Sequence, residues 1–226
     1  MRRMSHARIA IIGGTGQLGA AIARRLAKAG RSVIIGSRDP AKAVATAAAL
    51  GAELGCALDG VANATAAAQG EIVIVAVPFA SQEATLKEIA PHVVGKIVVD
   101  TTVPLMPPKV MRVQLPAEGS AAVRAQRILG DGVRVVSTFH NVAAHKLATD
   151  EDVACDVLVF GDEKAAREPV VELVQQCGLR GLHGGSLANS AAAEALTSVL
   201  IFLNKTYAVD GAGLRITGEL QPLAPR

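Results

Sequence analysis

The stretch "RIAIIGGTGQLGAAIARRLAKAGRSVIIGSRDPAK", Arg8 to Lys42, leaves a β-branched run, crosses four glycines and enters a helical period. Arg8–Gly13 reads as a strand. Leu18, Ile22 and Leu26 fall at i, i+4 and i+8, one face of a helix that a glycine, Gly30, brings to an end. "SVIIGS" is the next strand. "PAKAVATAAALGAEL" follows as an alanine-rich helix with proline in its first turn. Strand, glycine turn, helix and strand in this order make half of a nucleotide-binding unit.

Within it, Gly14-Thr15-Gly16-Gln17-Leu18-Gly19 fits the spacing G-x-G-x-x-G. Gly14 is expected to permit the tight turn, Gly16 to let a pyrophosphate approach the backbone, and Gly19 to let the helix lie close on the sheet. The helix start then offers free N–H groups and a positive dipole end to phosphate. The end of the second strand selects the dinucleotide. An NAD site places an acid there; this chain has "GSRDPAK". Ser37 can donate a hydrogen bond, Arg38 can clamp a 2′-phosphate bidentately, and Lys42 adds a point charge, which reads as NADP. Asp39 is the rival, either as the acid of an NAD site or as the opening of the next helix.

Outward from this unit the alternation continues. "EIVIVAVP" (71–78), a helix over 81–90 and "GKIVVDTT" (95–102) follow, the strands apolar on both faces as in a parallel sheet covered on each side. Between residues 103 and 132 the pattern loosens, with four prolines in "VPLMPPKVMRVQLPAEGS" and a helix over Ala121–Leu129. Further strands are expected at 133–139 and 156–161, and a helix in "EKAAREPVVELVQQCG". The long, mostly apolar helix "SLANSAAAEALTSVLIFLNKTY" (186–207) must bury its face in the core or against another subunit. The expectation is an α/β, Rossmann-type doubly wound parallel sheet. Residues 1–138 form the dinucleotide-binding domain, and 139–226 a smaller C-terminal part that ends in this helix and closes the substrate cleft.

Composition excludes other classes. Half of the 226 residues are hydrophobic, against disorder, and a net charge of +3 without a polybasic run argues against nucleic acid and anionic lipid. Cys56, Cys155 and Cys177 match no metal or redox spacing and read as reduced thiols in a cytoplasmic protein. The basic start followed by Ile9–Ile12 is too short for a signal h-region, and no stretch is expected to span a membrane. No His, Asp or Glu cluster has metal-ligand spacing. The lone tyrosine, Tyr207, is not followed by a lysine four residues on. A proton-donating residue for an alkoxide is therefore not evident, as suits hydride exchange between two redox cofactors.

The stretches "IGGTGQLG", "GSRDPAK", "VIVAVPF", "STFHNVAAHKL" and "LANSAAAEALTSVLI" together resemble the NADPH-dependent coenzyme F-420 reductases nearly end to end. That resemblance implies NADP on the Rossmann half and the 8-hydroxy-5-deazaflavin coenzyme F-420 in a cleft against the C-terminal part, its C5 facing the nicotinamide C4. It implies that Thr15, Gly16, Gln17 and Leu18 hold the phosphates and that Ser37, Arg38 and Lys42 clamp the 2′-phosphate. Val77, Ser81, Val103 and Ala144 would line the nicotinamide half. His140 would lie near the reacting rings, Val142 would pack between them, and Thr197 would set its hydroxyl beside the deazaflavin. Ala191 and Ala195 stand where the family carries a cation and a hydroxyl.

From the residues alone, His140 is as readily a satisfied structural group, Val142 plain core, and Thr197 a hydroxyl bonded back to its own helix. Two other functions stay open: an NADPH-dependent reductase of an imine, ketone or flavin, and a non-catalytic NADP(H) sensor. The expected partners are small-molecule coenzymes and a second copy of the chain, joined through the long helix as a homodimer.

Overall fold

A computed structural model describes residues 7–221. The strands are β1 (Ile9–Ile12), β2 (Val33–Ser37), β3 (Asp59–Ala62), β4 (Ile72–Val75), β5 (Ile97–Asp100), β6 (Arg134–Ser137), β7 (Asp156–Phe160) and β8 (Arg180–Gly185). The helices are α1 (Gln17–Lys28), α2 (Pro40–Leu54), α3 (Asn63–Gln69), α4 (Phe79–Ile89), α5 (Ala121–Leu129), α6 (Ala144–Leu147), α7 (Lys164–Gln176) and α8 (Ser190–Tyr207). All eight strands join one sheet in the order β3-β2-β1-β4-β5-β6-β7-β8. The first six run parallel; β7 meets β6 antiparallel only where Ser137 opposes Phe160, and β8 runs parallel to β7. The expected doubly wound α/β fold is present, and the C-terminal part continues the same sheet.

Successive side chains of a strand point to opposite faces, and here both faces are apolar. Ile9, Ile11, Ile35, Ile72, Ile74 and Val99 pack on one side with Ile22 and Leu26 of α1 and Val170 and Val174 of α7. Ala10, Ile12, Ile34, Val73, Val75 and Val98 pack on the other with Ala66 and Ala67 of α3, Leu86 and Ile89 of α4, and Ala122 and Ala125 of α5. β1, β4 and β5 are therefore buried along their whole length. This places the carboxyl ends of β1, β2 and β4 together at the point where strand order reverses, the usual ligand position of such sheets.

Three expectations are corrected. The left-handed turn belongs to Gly13 (φ +76°), not to Gly14. A Cβ on Gly14 would instead meet the Ile11 carbonyl at 2.8 Å, so Gly14 is needed for closeness. Residues 187–207 also form a helical stretch long and apolar enough, at a mean hydropathy of 1.3, to cross a membrane by length and composition. The reason is that Glu194 and Lys205 are its only charged residues. Finally, β3, α3, α6 and β8 lie in segments where no element was expected.

Candidate active site

The first turn of α1 carries no capping side chain among the described residues, and no acid. Its start, Gly16, is extended (φ −82°, ψ 164°), and the Gly16 amide donates to the Gly13 carbonyl at 3.0 Å. A Cβ on Gly16 would meet only that carbonyl, at 3.3 Å, so the glycine leaves space on the solvent side. On Gly19 it would meet the same carbonyl at 2.6 Å and the Gly14 Cα at 2.9 Å. The glycine at 19 is thus what seats α1 against the turn. Amides at an uncapped helix start are unsatisfied and carry the positive dipole end.

In front of this turn lies a cleft of about 460 Å³, lined by Gly13, Thr15, Gly16, Ser37, Arg38, Asp39, Lys42, Asn63, Val77 and Ser81, among others. The structure brings together most of the expected dinucleotide residues. Ser37 is buried, accepts the Asp39 amide at 3.1 Å and lies 3.5 Å from the Thr15 hydroxyl. Arg38 and Lys42 are exposed at the cleft, and neither makes a salt bridge among the described residues. Asp39 opens the next helix: its Oδ1 accepts the amides of Ala41 and Lys42 at 3.1 and 3.4 Å, as the N-cap of α2, with Pro40 in the first turn. That leaves the two cations as the charge at the strand end. Gln17 is exposed, Leu18 turns its side chain into the core, and Gly14 and Gly19 are buried; none of these four lines the cleft.

Asn63 was missed. It sits at the start of α3, is 1% exposed, and its Oδ1 has no hydrogen-bond partner among the described residues. A buried acceptor without a donor is costly, and this one lines the cleft. The signal was hidden because β3 and α3, which deliver it, lack a periodic apolar pattern.

A second, smaller cleft of about 120 Å³ opens beyond β6, lined by His140, Asn141, Val142, Ala143, Thr197, Leu200, Ile201, Asn204 and Ala212. β4 and β6 flank β5 in the sheet. At the usual strand spacing of ~4.8 Å, the ends of β4 and β6, which border the two clefts, stand about 10 Å apart along the same edge of the sheet. Phe139 makes the turn between them. Its φ is +64°, a region that costs a bulky residue roughly 1–2 kcal/mol; the buried ring holds it there. The turn brings His140 back so that its Nε2 lies 2.8 Å from the Ser137 hydroxyl. His140 is 5% exposed, and burial pushes its pKa down to about 3, so the imidazole is neutral.

Thr197 donates to the His140 carbonyl at 3.0 Å and, bonded back within its helix, to the Ala193 carbonyl at 3.2 Å. It accepts from Asn141 Nδ2 at 3.1 Å. Its proton is thus committed to the protein, and only its oxygen remains to meet a ligand. Asn141, also missed, donates to the Ala193 carbonyl at 2.9 Å and fastens α8 to this turn. Val142 packs on the core and borders the cleft. Val103 follows β5, half-buried, and Ala144 opens α6 beside Ala143; neither lines either cleft directly.

Residues 8–104 match the family model described as "NADP oxidoreductase coenzyme F420-dependent". The chain is 40% identical over 219 residues to the F420-dependent NADP reductase of Methanothermobacter thermautotrophicus, covering 93% of this chain and 94% of that one. It is 39% identical over 221 residues to the F420-dependent NADP reductase of Methanocaldococcus jannaschii, covering 93% and 98%. Among solved structures, that of a candidate F420-dependent NADP reductase from Arthrobacter sp. FB24 superimposes with a TM-score of 0.80 at 29% identity, over 94% of this chain and 100% of that one.

Proposed function

The chain belongs to the F420-dependent NADP reductase family, and from that premise we propose how its residues divide the work of an oxidoreductase that passes hydride between NADP(H) and coenzyme F-420. The observation that carries the reading is the uncapped start of α1 facing a cleft whose charged mouth is Arg38 and Lys42, with Asp39 spent on α2. The backbone at residues 14–19 takes the pyrophosphate, and Thr15 adds a polar side chain. Ser37, Arg38 and Lys42 take the 2′-phosphate, and the orphaned Asn63 Oδ1 accepts from the adenosine half. Val77 and Ser81 form the wall on which the nicotinamide rests, while Val103 and Ala144, which line neither cleft, make no direct contact in this reading.

When bound, the nicotinamide and the deazaflavin supply the hydride chemistry themselves. The protein aligns and desolvates. A neutral, buried His140 suits that role: it orders the turn before Val142 without offering a proton at neutral pH. Thr197 holds α8 on the same turn. In this reading residues 1–138 carry NADP, and 139–226 carry the second cleft, as functional halves of one continuous sheet.

The protein is proposed to act as a cytoplasmic homodimer, with no membrane or nucleic-acid partner. Val199 and Phe202 of α8 are 42% and 51% exposed, and Met106, Met111, Val113 and Leu115 of the loop before α5 add further exposed apolar surface. The Ser198 hydroxyl donates to the Arg112 carbonyl at 3.4 Å, which sets that loop beside α8. A second copy would cover this surface, and α8 buries Glu194, as suits a subunit helix rather than a span. Three free cysteines, two of them buried, agree with a reducing compartment.

The deciding experiment is a single turnover with NADPH deuterated at C4 and the oxidised deazaflavin. Direct passage of label to the deazaflavin C5, without exchange into water, is expected. Reduction of an imine or ketone with no transfer to the deazaflavin would replace this reading.

A further inference from the structure

Glu194 and Asp100 are carboxylates buried to 1% and 0% exposure, and nothing in hydride alignment yet uses them. Glu194 reaches across from α8 to the start of α5. Its Oε2 accepts the Ala121 amide at 2.7 Å and its Oε1 the Ala122 amide at 3.2 Å. The Ser120 hydroxyl accepts the Val123 amide at 3.0 Å, and the Ser190 hydroxyl donates to Ser120 Oγ at 2.9 Å. Helix-start amides have no partner within their own helix. Here two of them are closed by a carboxylate from another helix, in the geometry where charge and dipole reinforce each other.

From the same place a second branch runs back toward the dinucleotide side. Gln82 Nε2 donates to the Ala121 carbonyl at 3.0 Å and to Asp100 Oδ2 at 2.7 Å. Asp100 Oδ1 accepts from the Thr102 amide at 3.2 Å and hydroxyl at 2.6 Å. Gln82 adjoins Ser81, and Thr102 adjoins Val103. Glu194 lies three residues, one turn, before Thr197. The network thus ties α8, which carries Thr197, to α4, which carries Ser81. Apolar packing does little to fix α8: of its buried residues Ser190, Ala193, Glu194, Ser198 and Leu200, only Leu200 is a large hydrophobe.

We propose that Glu194 is a positioning residue for the second coenzyme: anchored on Ala121 and Ala122, it sets where α8 stands and so how far Thr197 lies from the wall that holds Ser81. This rests on the reading above that the two coenzymes meet between Thr197 and that wall.

Glu194→Gln tests it. The glutamine oxygen can still accept one amide, but its NH2 then faces the other, donor against donor. Four quantities are measured: NADPH affinity, KM and kcat for the deazaflavin, and hydrogen exchange at the amides of Ala121 and Ala122. The expected result is unchanged NADPH affinity, faster exchange at one of the two amides at least, and a deazaflavin KM raised roughly tenfold or more, as for loss of a charge-assisted bond. A folded variant with wild-type KM and kcat, even with lowered thermal stability, overturns the proposal and leaves Glu194 a structural cap. Failure of the unmutated enzyme to reduce the deazaflavin overturns the coenzyme reading instead, whatever the exchange data show. Should the glutamine variant not fold, Ser190→Ala removes only the outermost hydroxyl of the same contact. A deazaflavin KM raised about twofold or more with NADPH affinity intact supports the proposal, and an unchanged KM overturns it.

Discussion

His140 Nε2 and the hydroxyl oxygen of Ser137 lie 2.8 Å apart, both buried, at the carboxyl end of β6. Removing the ring leaves Ser137 without its partner in a dry place, which costs about 1–3 kcal/mol. His140→Ala is therefore expected to lower stability by that amount in urea unfolding. Single-turnover transfer should slow by clearly less than the 10²–10⁴-fold typical of losing a general acid or base. A loss of that larger size would make His140 a proton donor.

Buried His140 and the buried carboxylates bend the pH-stability curve in opposite directions. Burial lowers His140 to about 3 from 6.5. Between those values the unfolded chain takes up a proton that the folded one refuses, so this contribution is lost as pH falls. Burial raises Asp100 to about 6 from 3.8; burial, with the nearby Asp100 charge adding, raises Glu194 to about 7 from 4.5. Their contribution is present at low pH and is lost as pH rises through the folded values. Relative to wild type, Asp100→Asn should gain stability as pH rises from 4 toward 6. His140→Asn should lose it between 3 and 6.5. Denaturant midpoints across pH check both signs; equal slopes in all three proteins would contradict the burial argument.

Arg38 and Lys42 predict a strong preference for NADPH over NADH. A charge-assisted phosphate contact contributes about 1.5–3 kcal/mol, or roughly one to two decades in affinity. Arg38→Ala should collapse the preference and leave NADH affinity nearly unchanged in calorimetric titrations. Equal affinities in the unmutated protein would remove the 2′-phosphate assignment.

Gly13 and Gly16 should fail in different ways. At Gly13 a Cβ meets the Ala76 carbonyl at 2.6 Å and φ is +76°, so Gly13→Ala should destabilise the fold by at least ~1–2 kcal/mol. Gly16→Val should keep the fold and lose NADPH binding, because φ is negative and the side chain enters the pyrophosphate path. Thermal melts with and without NADPH separate the two; ligand-induced stabilisation in Gly16→Val would count against the loop as a phosphate site.

Phe202→Ser, at an exposed position on α8, should shift a dimer toward monomer in sedimentation without changing NADPH affinity. A wild-type monomer at all concentrations would refute the interface.

Much was legible in the sequence because it rests on local periods. β1, β2, β4 and β5 are continuous apolar runs, buried on both faces, and the ends of α2 and α5 are marked by Asp39-Pro40 and by Ser120 with Gly130. The glycine spacing and Ser37-Arg38 pointed to the cleft that lies in front of α1, because a glycine turn and the next strand end stand at fixed offsets in one βαβ unit. Tertiary structure decided the rest. β3, "DGVA", and β8, "RGLHGG", carry residues that strands disfavour and exist because β2 and β7 offer them free edges. The positive φ fell to Gly13 and the close approach to the Ile11 carbonyl to Gly14, a division that the spacing does not encode. Asp39 became the cap of α2 through bonds that the letters alone left open. Asn63, Asn141 and Glu194 gained their roles only when distant segments met. A polar residue's partner is set by three-dimensional proximity, and no period in the chain encodes a contact 52 or 73 residues away.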